Sequence, residues 1–189
     1  MKKLILASNN KGKITEIKKL LDGKFEVLSL KDCGIDVDVE ENGTTFEENA
    51  IIKAKAIYDI AKLPVISDDS GLEVYALGGE PGIYSARYAG EGHCDADNNA
   101  KLLANMQDVE DRRAAFVCCA VYYDGINTIS SEGRVEGSIL YAPEGEGGFG
   151  YDPLFYSTEL QKSFGVAEFD EKNSISHRAR AFAKLVEQL

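Results

Sequence analysis

The sequence lacks tryptophan and long apolar runs, and it contains little proline or cysteine. Its 189 residues include no tryptophan, four prolines and four cysteines. No apolar run approaches the roughly 20 residues that span a bilayer, and the N-terminal stretch Leu4–Ala7 is too short for the core of a signal peptide. We therefore expect a cytoplasmic protein without a membrane partner. A hydrophobic content of 44% predicts a globular core rather than disorder.

The cysteines also lack the spacing of a metal site. Cys33, Cys94, Cys118 and Cys119 form no CxxC pair and no Cys/His ligand pattern, so we expect buried free thiols. The charge is one-sided, because 21 basic and 32 acidic residues give a net charge of −11. Such a charge repels polyanions, and we expect no nucleic acid partner. The length predicts a single domain over residues 1–189, at most folded as two lobes.

Apolar periodicity predicts a mixture of strands and helices. The predicted strands are Lys2–Ala7, Phe25–Leu30, Ile35–Val39, Val65–Ile66, Ala114–Tyr123, Asn127–Ile139 and Leu154–Tyr156, and the predicted helices are about 14–21, 46–62, 95–106 and 176–189. Thr45 and Glu48 form a capping box at the start of the second helix. The Asp124-Gly125 pair favours a type I′ turn inside a long hairpin. The pattern indicates an α/β or α+β domain with a mixed sheet.

A polar turn, Ser8-Asn9-Asn10-Lys11-Gly12-Lys13, joins the first predicted strand to the first helix. Backbone N–H groups and the helix dipole at such a junction bind phosphate, and Lys11 or Lys13 would add a full charge. The GxxxxGK[ST] spacing of a Walker A loop is absent. The alternative is a solvated surface turn that binds nothing.

Two adjacent carboxylates, Asp68 and Asp69, lie in the segment Ser67–Gly71, where we expect the strand before it to end. A divalent cation relieves the repulsion between them, and hard oxygen ligands suit Mg²⁺. The acidic pair Glu40-Glu41 at another turn would complete the set. The alternative is an ordinary turn, which Asp, Ser and Gly also favour.

Two cations fall on the apolar stripes of predicted helices. Lys53 lines up with Ala50 and Ile57, so its ammonium must either snorkel to solvent or meet an anion. Arg178 shares a stripe with Phe182 at the start of the last helix, where the dipole disfavours a cation unless an anion or acceptor is bound. The alternative for Arg178 is a structural salt bridge to a neighbouring carboxylate.

Six sequence blocks, taken in order, resemble the inosine triphosphate pyrophosphatase family over nearly the whole chain. The blocks are Ser8–Lys13, Thr45–Ala50, Ser67–Leu72, Gly82–Tyr88, Gly147–Asp152 and Ser176–Arg178. Members of that family hydrolyse deaminated purine nucleoside triphosphates such as ITP, dITP and XTP to the monophosphate and pyrophosphate. The resemblance implies an elongated mixed sheet flanked by helices, two lobes with a central cleft, and a homodimer.

The resemblance also implies roles for individual residues. Glu40 and Asp69 would bind Mg²⁺, with Glu41 in the same turn as the other candidate, and Asp69 matches the proton acceptor of the family. Phe149 is the expected stacking platform for the base. The residues themselves add two catalytic candidates, Asp68 as the alternative proton acceptor and Lys53 as a cation for the phosphates. The substrate-binding positions are Ser8, Asn9, Asn10, Lys11, Gly12, Lys13, Ser70, Phe149, Gly150, Tyr151, Asp152, Lys172, His177 and Arg178.

Two other functions remain open to the same residues. A nucleotide-binding or sensing protein would use this pocket without turnover, and pyrophosphate release in the presence of Mg²⁺ separates it from an enzyme. A pyrophosphatase of related fold that acts on modified pyrimidine nucleotides is the second alternative, which a panel of substrates separates.

Base recognition yields the first testable prediction. ITP and XTP carry a 6-oxo acceptor where ATP carries an amino donor, while Arg178 can only donate hydrogen bonds and His177 donates when suitably protonated. Sites built on such bonds reject the wrong partner by about 10⁴–10⁵-fold. We expect Arg178→Ala to lower kcat/KM for ITP sharply and to change the poor ATP rate little. Equal losses with ITP and ATP would assign Arg178 to phosphate binding instead.

Overall fold

A computed structural model describes residues 2–92 and 94–189 of the chain. The strands of this part are β1 (Lys2–Leu6), β2 (Phe25–Ser29), β3 (Val65–Val74), β4 (Arg113–Tyr123), β5 (Thr128–Ile139), β6 (Phe155–Ser157) and β7 (Lys162–Ser163). Its α-helices are α1 (Lys11–Leu21), α2 (Phe46–Ala61), α3 (Asp95–Asn105), α4 (Phe169–Ile175) and α5 (His177–Val186). None of the helices in these ranges combines the length and the apolar character needed to cross a membrane.

All seven strands belong to one mixed sheet, in the order β2-β1-β3-β4-β5-β6-β7. β1 pairs in parallel with both β2 and β3, whereas β6 pairs antiparallel with β5 and β7. β4 and β5 are neighbours joined only by residues 124–127, and so short a connection requires antiparallel strands. The mixed sheet with its helices confirms the predicted fold class and the predicted hairpin. The central cleft stays a prediction.

The chain divides into two compact units. Unit 1 consists of Met1–Asp69, Cys118–Gly133 and His177–Leu189, and unit 2 consists of Ser70–Val117 and Arg134–Ser176. In unit 1, alternate residues of β1 enter two apolar clusters, with Leu4 and Leu6 in one and Ile5 in the other. This is the alternation of faces that a strand imposes. In unit 2, the core includes the packed rings of Phe116, Phe155 and Phe164.

The largest difference from the sequence prediction concerns β3. The strand does not end at Ser67–Gly71 but continues through it to Val74, so that Asp68 and Asp69 lie inside a buried strand. Asp, Ser and Gly favour turns because their side chains bond to the nearby backbone. Here Ser67 Oγ donates to the Ala50 carbonyl at 2.6 Å instead. Tertiary partners therefore override the local turn preference.

Several smaller predictions were also wrong. Residues 35–39 alternate as a strand would, and Ile35, Val37 and Val39 pack against the unit 1 core, but this segment is not part of the sheet. The hairpin loop spans residues 124–127 rather than a two-residue turn. Cys118 and Cys119 are buried, as predicted, whereas Cys94 is exposed. The short elements β7 and α4 were missed, because neither is long enough to show a periodic pattern.

Candidate active site

The loop that precedes α1 is a strand-to-helix junction, as predicted, and the first turn of α1 carries no acidic side chain. Asn10 caps the helix, because its Oδ1 accepts the Lys13 N–H at 3.1 Å. Ser8 Oγ accepts the Asn10 N–H at 3.2 Å, and Asn9 Nδ2 donates to the Val37 carbonyl at 3.2 Å. The junction therefore has the positive dipole end that favours an anion.

Asp68 belongs to a buried network of four charged side chains in unit 1. Asp68 Oδ2 lies 3.1 Å from Lys13 Nζ and 3.4 Å from Arg178 Nε. Arg178 Nη1 in turn pairs with Glu16 Oε2 at 2.8 Å. At most 15% of any of these side chains is exposed. Two cations and two carboxylates compensate each other, which is the condition for burying charge in a protein.

The contacts of Arg178 agree with the alternative role given to it from the sequence, a structural salt bridge to a carboxylate. Burial by itself lowers the pKa of Arg178, but the carboxylates of Glu16 and Asp68 outweigh burial and hold the pKa above its usual range. Its guanidinium therefore stays charged and is paired with two buried carboxylates, as in a structural salt bridge. His177, which precedes Arg178 and is the first residue of α5, is also buried.

A second group of charged residues in unit 1 lies around Asp69. Asn49 Nδ2 donates to Asp69 Oδ2 at 3.1 Å, and Lys53 Nζ pairs with Glu41 Oε1 at 2.6 Å. Lys53 therefore meets an anion, one of the two outcomes predicted from its place on the apolar stripe of α2. Burial tends to lower the pKa of Lys53, but Asp68, Glu41 and Asp69 raise it by a larger amount.

Asp69 is the carboxyl group whose ionisation these neighbours disturb. Burial raises the pKa of Asp69, Lys13 and Lys53 lower it, and Glu41 raises it again, with a net rise. A carboxylate with a raised pKa binds a proton more readily than an exposed one. Such perturbation by burial together with specific charges is typical of functional sites.

The acidic turn contributes Glu41 rather than Glu40 to these contacts. Glu40 is exposed, whereas Glu41 is partly buried and reaches Lys53. Two further residues, Glu16 and Asn49, were not foreseen. Glu16 lies three residues after Lys13 and so shares its helix face, which is a usable signal. Asn49 lies four residues before Lys53 and so shares its helix face, which is a signal of the same kind.

Unit 2 contains a separate buried ion pair. Lys172 Nζ, from α4, lies 2.6 Å from Asp152 Oδ2, and less than a tenth of either side chain is exposed. Asp152 Oδ2 also accepts the Phe149 N–H at 2.9 Å, and the Lys172 ammonium lies 4.9 Å from the centre of the Phe149 ring. Unit 2 thus brings together three of the predicted substrate-binding residues.

Two other predicted substrate-binding positions of unit 2 are Gly150, which contacts α3, and Tyr151, which contacts a backbone carbonyl. Gly150 donates its N–H to Asp95 Oδ2 at 2.8 Å and accepts from Asn99 Nδ2 at 3.0 Å. Tyr151 is buried, and its hydroxyl donates to the Ser85 carbonyl at 2.6 Å, so its ring has a packing role. The remaining position, Ser70, is partly buried in β3.

Comparison with known proteins identifies the family. A family model described as the Ham1 family matches residues 4–188. The chain belongs to the Ham1 family. A relative from Clostridium perfringens named dITP/XTP pyrophosphatase is 52% identical, over 100% of this chain and 98% of its own length. A Bacillus subtilis relative of the same name is 47% identical, over 98% and 96% of the two chains. The predicted resemblance is therefore confirmed.

Solved structures agree with this assignment. The Ham1 protein of Staphylococcus aureus superposes with a TM-score of 0.89 at 45% identity and covers 99% of this chain and 97% of its own. The HAM1 protein of Coxiella burnetii gives a TM-score of 0.90 at 38% identity, over 100% and 98% of the two chains. The fold of unit 1 and unit 2 is thus the fold of the family.

The Arg178 network predicts a large stability effect. Arg178→Ala leaves Glu16 and Asp68 buried with one cation, so we expect the free energy of unfolding to fall by about 3–5 kcal/mol. Lys184→Ala is the matched control, since it removes an exposed cation from the same helix and should cost less than about 1 kcal/mol. Urea denaturation followed by circular dichroism measures both. Similar losses for the two variants would contradict a buried ion pair at Arg178.

Proposed function

We propose that this chain hydrolyses the deaminated purine nucleoside triphosphates dITP, XTP and ITP to the nucleoside monophosphate and pyrophosphate. The observation that carries the proposal is the buried carboxylate of Asp69, which follows the Lys13 partner Asp68 in β3 and lies within the electrostatic influence of the Lys53–Glu41 pair. Hydrolysis of an anhydride requires a proton acceptor for water and cations for the phosphates. Relatives that share about half of the sequence over their whole length are named for this activity.

The junction before α1 is the proposed phosphate site. Ser8, Asn9 and Asn10 form the loop, and Lys11 and Gly12 begin the helix. The helix dipole attracts a polyanion there, and the exposed Lys11 adds a full charge. Lys13 lies at the same turn but is held by Asp68, so it presents its charge from a fixed position.

We propose that Asp69 and Glu41, rather than Glu40, hold Mg²⁺. Both side chains offer the hard oxygen atoms that Mg²⁺ prefers, and their mutual repulsion contributes to the raised pKa of Asp69. Within residues 2–92 and 94–189, no group of three or more Asp, Glu, His or Cys side chains is arranged to hold a metal ion by itself. Mg²⁺ is commonly bound by one or two carboxylates together with substrate phosphates, so two carboxylates fit it. When bound, Mg²⁺ polarises phosphate oxygens and offsets their negative charge.

Asp69 is the proposed general base. It accepts a proton from a water molecule whose oxygen attacks the α-phosphorus, and the bond from this phosphorus to the bridging oxygen breaks, releasing pyrophosphate. Lys13 and Lys53 stabilise the charge that develops on the phosphates. Asp68 is less suited to accept the proton, because it is fully buried and paired with Lys13 and Arg178. Its proposed role is to hold Lys13 in place.

In unit 2 we propose that Phe149 stacks on the base, with Lys172 and Asp152 fixing the loop that carries it. The evidence is the Asp152 carboxylate, which joins the Phe149 backbone to the Lys172 ammonium. In unit 1 the proposed donors to the 6-oxo group are His177 and Arg178, as the family resemblance implies. We further propose a homodimer, from the resemblance, and a cytoplasmic protein with residues 1–189 as a single domain, from the length and the apolar pattern of the sequence.

A substrate panel tests the proposed function. With Mg²⁺ present, we expect pyrophosphate to be released from dITP, XTP and ITP much faster than from ATP or from modified pyrimidine triphosphates. The control is Asp69→Asn, whose side chain is nearly isosteric but cannot accept the proton. We expect its kcat to be lower by about 10²–10⁴-fold, the usual effect of losing a general base. Nucleotide binding without pyrophosphate release would favour a sensing protein. Activity of Asp69→Asn within a few-fold of the wild type would remove Asp69 from the mechanism.

A further inference from the structure

Asn49 joins two segments that carry the carboxylates of unit 1. It is the fourth residue of α2, and only 1% of its surface is exposed. Its Oδ1 accepts the Gly43 N–H at 2.8 Å, and its Nδ2 donates to Asp69 Oδ2 at 3.1 Å. A single amide thus connects the backbone two residues after Glu41 to the side chain of Asp69.

The loop lies close against α2 at this point. A Cβ atom on Gly43 would be 2.7 Å from Asn49 Oδ1 and 2.8 Å from the Cβ of Glu48, so only glycine allows this approach. On the next residue, the Thr44 N–H donates to Glu48 Oε2 at 2.7 Å. Two consecutive N–H groups of the loop are therefore held by side chains from the first turn of α2.

The chemistry of the bridge requires an asparagine. One side of the amide must accept from Gly43 and the other must donate to Asp69. Aspartate keeps the acceptor but has no donor when ionised, and alanine has neither. A buried amide with both bonds satisfied also has one fixed orientation, because reversing it would leave a donor facing the Gly43 N–H and an acceptor facing a carboxylate.

We propose that Asn49 is a positioning residue that fixes the Glu41 loop relative to Asp69, and thereby the separation of the two carboxylates that serve the reaction. This rests on the function proposed above. Glu41 itself is tied to Lys53, also on α2, at 2.6 Å. Helix α2 is thus the common support of both carboxylates, and Asn49 is the member that contacts the loop and Asp69 directly.

The test compares Asn49→Ala with Asn98→Ala. Asn98 is also the fourth residue of its helix and is 2% exposed, and its amide likewise bridges two backbone groups, Ala89 N–H at 2.7 Å and Ala86 carbonyl at 3.1 Å. Both variants should lower Tm by similar amounts. We expect Asn49→Ala to lower kcat for dITP by about 10–100-fold, as for outer-shell partners of reacting groups, with little change in KM. Asn98→Ala should leave both constants within about threefold of the wild type.

Two measurements do not depend on turnover. Hydrogen exchange of the Gly43 amide should be slow in the wild type and fast in Asn49→Ala. The affinity for Mn²⁺, followed by electron paramagnetic resonance, should fall by about 10-fold or more. If Asn49→Ala is too unstable to purify, Asn49→Leu serves instead, since it fills a similar volume but has neither the acceptor for Gly43 nor the donor to Asp69. It should show fast Gly43 exchange and still lose kcat.

The outcomes separate this proposal from the function on which it rests. An active wild type with equal kinetic losses in Asn49→Ala and Asn98→Ala would overturn the positioning role. Gly43 exchange that is unchanged in Asn49→Ala would overturn it as well. A wild type that hydrolyses none of the nucleotides would overturn the proposed function, and the exchange and Mn²⁺ measurements would then decide the role of Asn49 alone.

Discussion

Two adjacent carboxylates buried inside a strand are the constraint on which unit 1 depends. A buried carboxylate is tolerated only with a cation or hydrogen-bond donors beside it. Asp68 obtains Lys13 from α1 and Arg178 from α5, and the neighbouring Asp69 obtains the amide of Asn49 from α2. Three helices must therefore dock against β3 before the charges are satisfied, so the site and the packing of unit 1 form together.

The same arrangement explains how an acidic chain supplies cations for a polyanion. With 11 more acidic than basic residues, the protein as a whole repels phosphate. Lys13 and Lys53 are nevertheless both held in unit 1, each beside a carboxylate. Since the carboxylates hold these cations inside the protein, their positions are set before the substrate arrives. Such preorganisation is the main source of electrostatic stabilisation in catalysis.

The sequence predicted the elements with strong local signals. The Thr45–Glu48 capping box located the start of α2 correctly, and the polar turn before α1 was placed at a helix N-terminus. The prediction for β3 was wrong, because the polar side chains of its turn-forming residues bond to partners that are distant in the sequence. The sequence also left Glu40 and Glu41 undecided, since an irregular loop has no period by which to assign adjacent side chains. Asn49 shares a helix face with Lys53, but its role depends on Gly43 and Asp69 together, and that pairing is not visible along the sequence.

The enclosed ion pairs respond to salt differently from the charges on the surface of the protein. Charges exposed on the surface are screened over about 8 Å at physiological ionic strength, whereas buried pairs are screened much less. Added salt therefore weakens the general repulsion from the acidic surface and leaves the local pairs of Lys13 and Arg178 nearly intact. The charges that respond to salt are thus the exposed ones, which include both the acidic surface that repels the nucleotide and the Lys11 ammonium that attracts it.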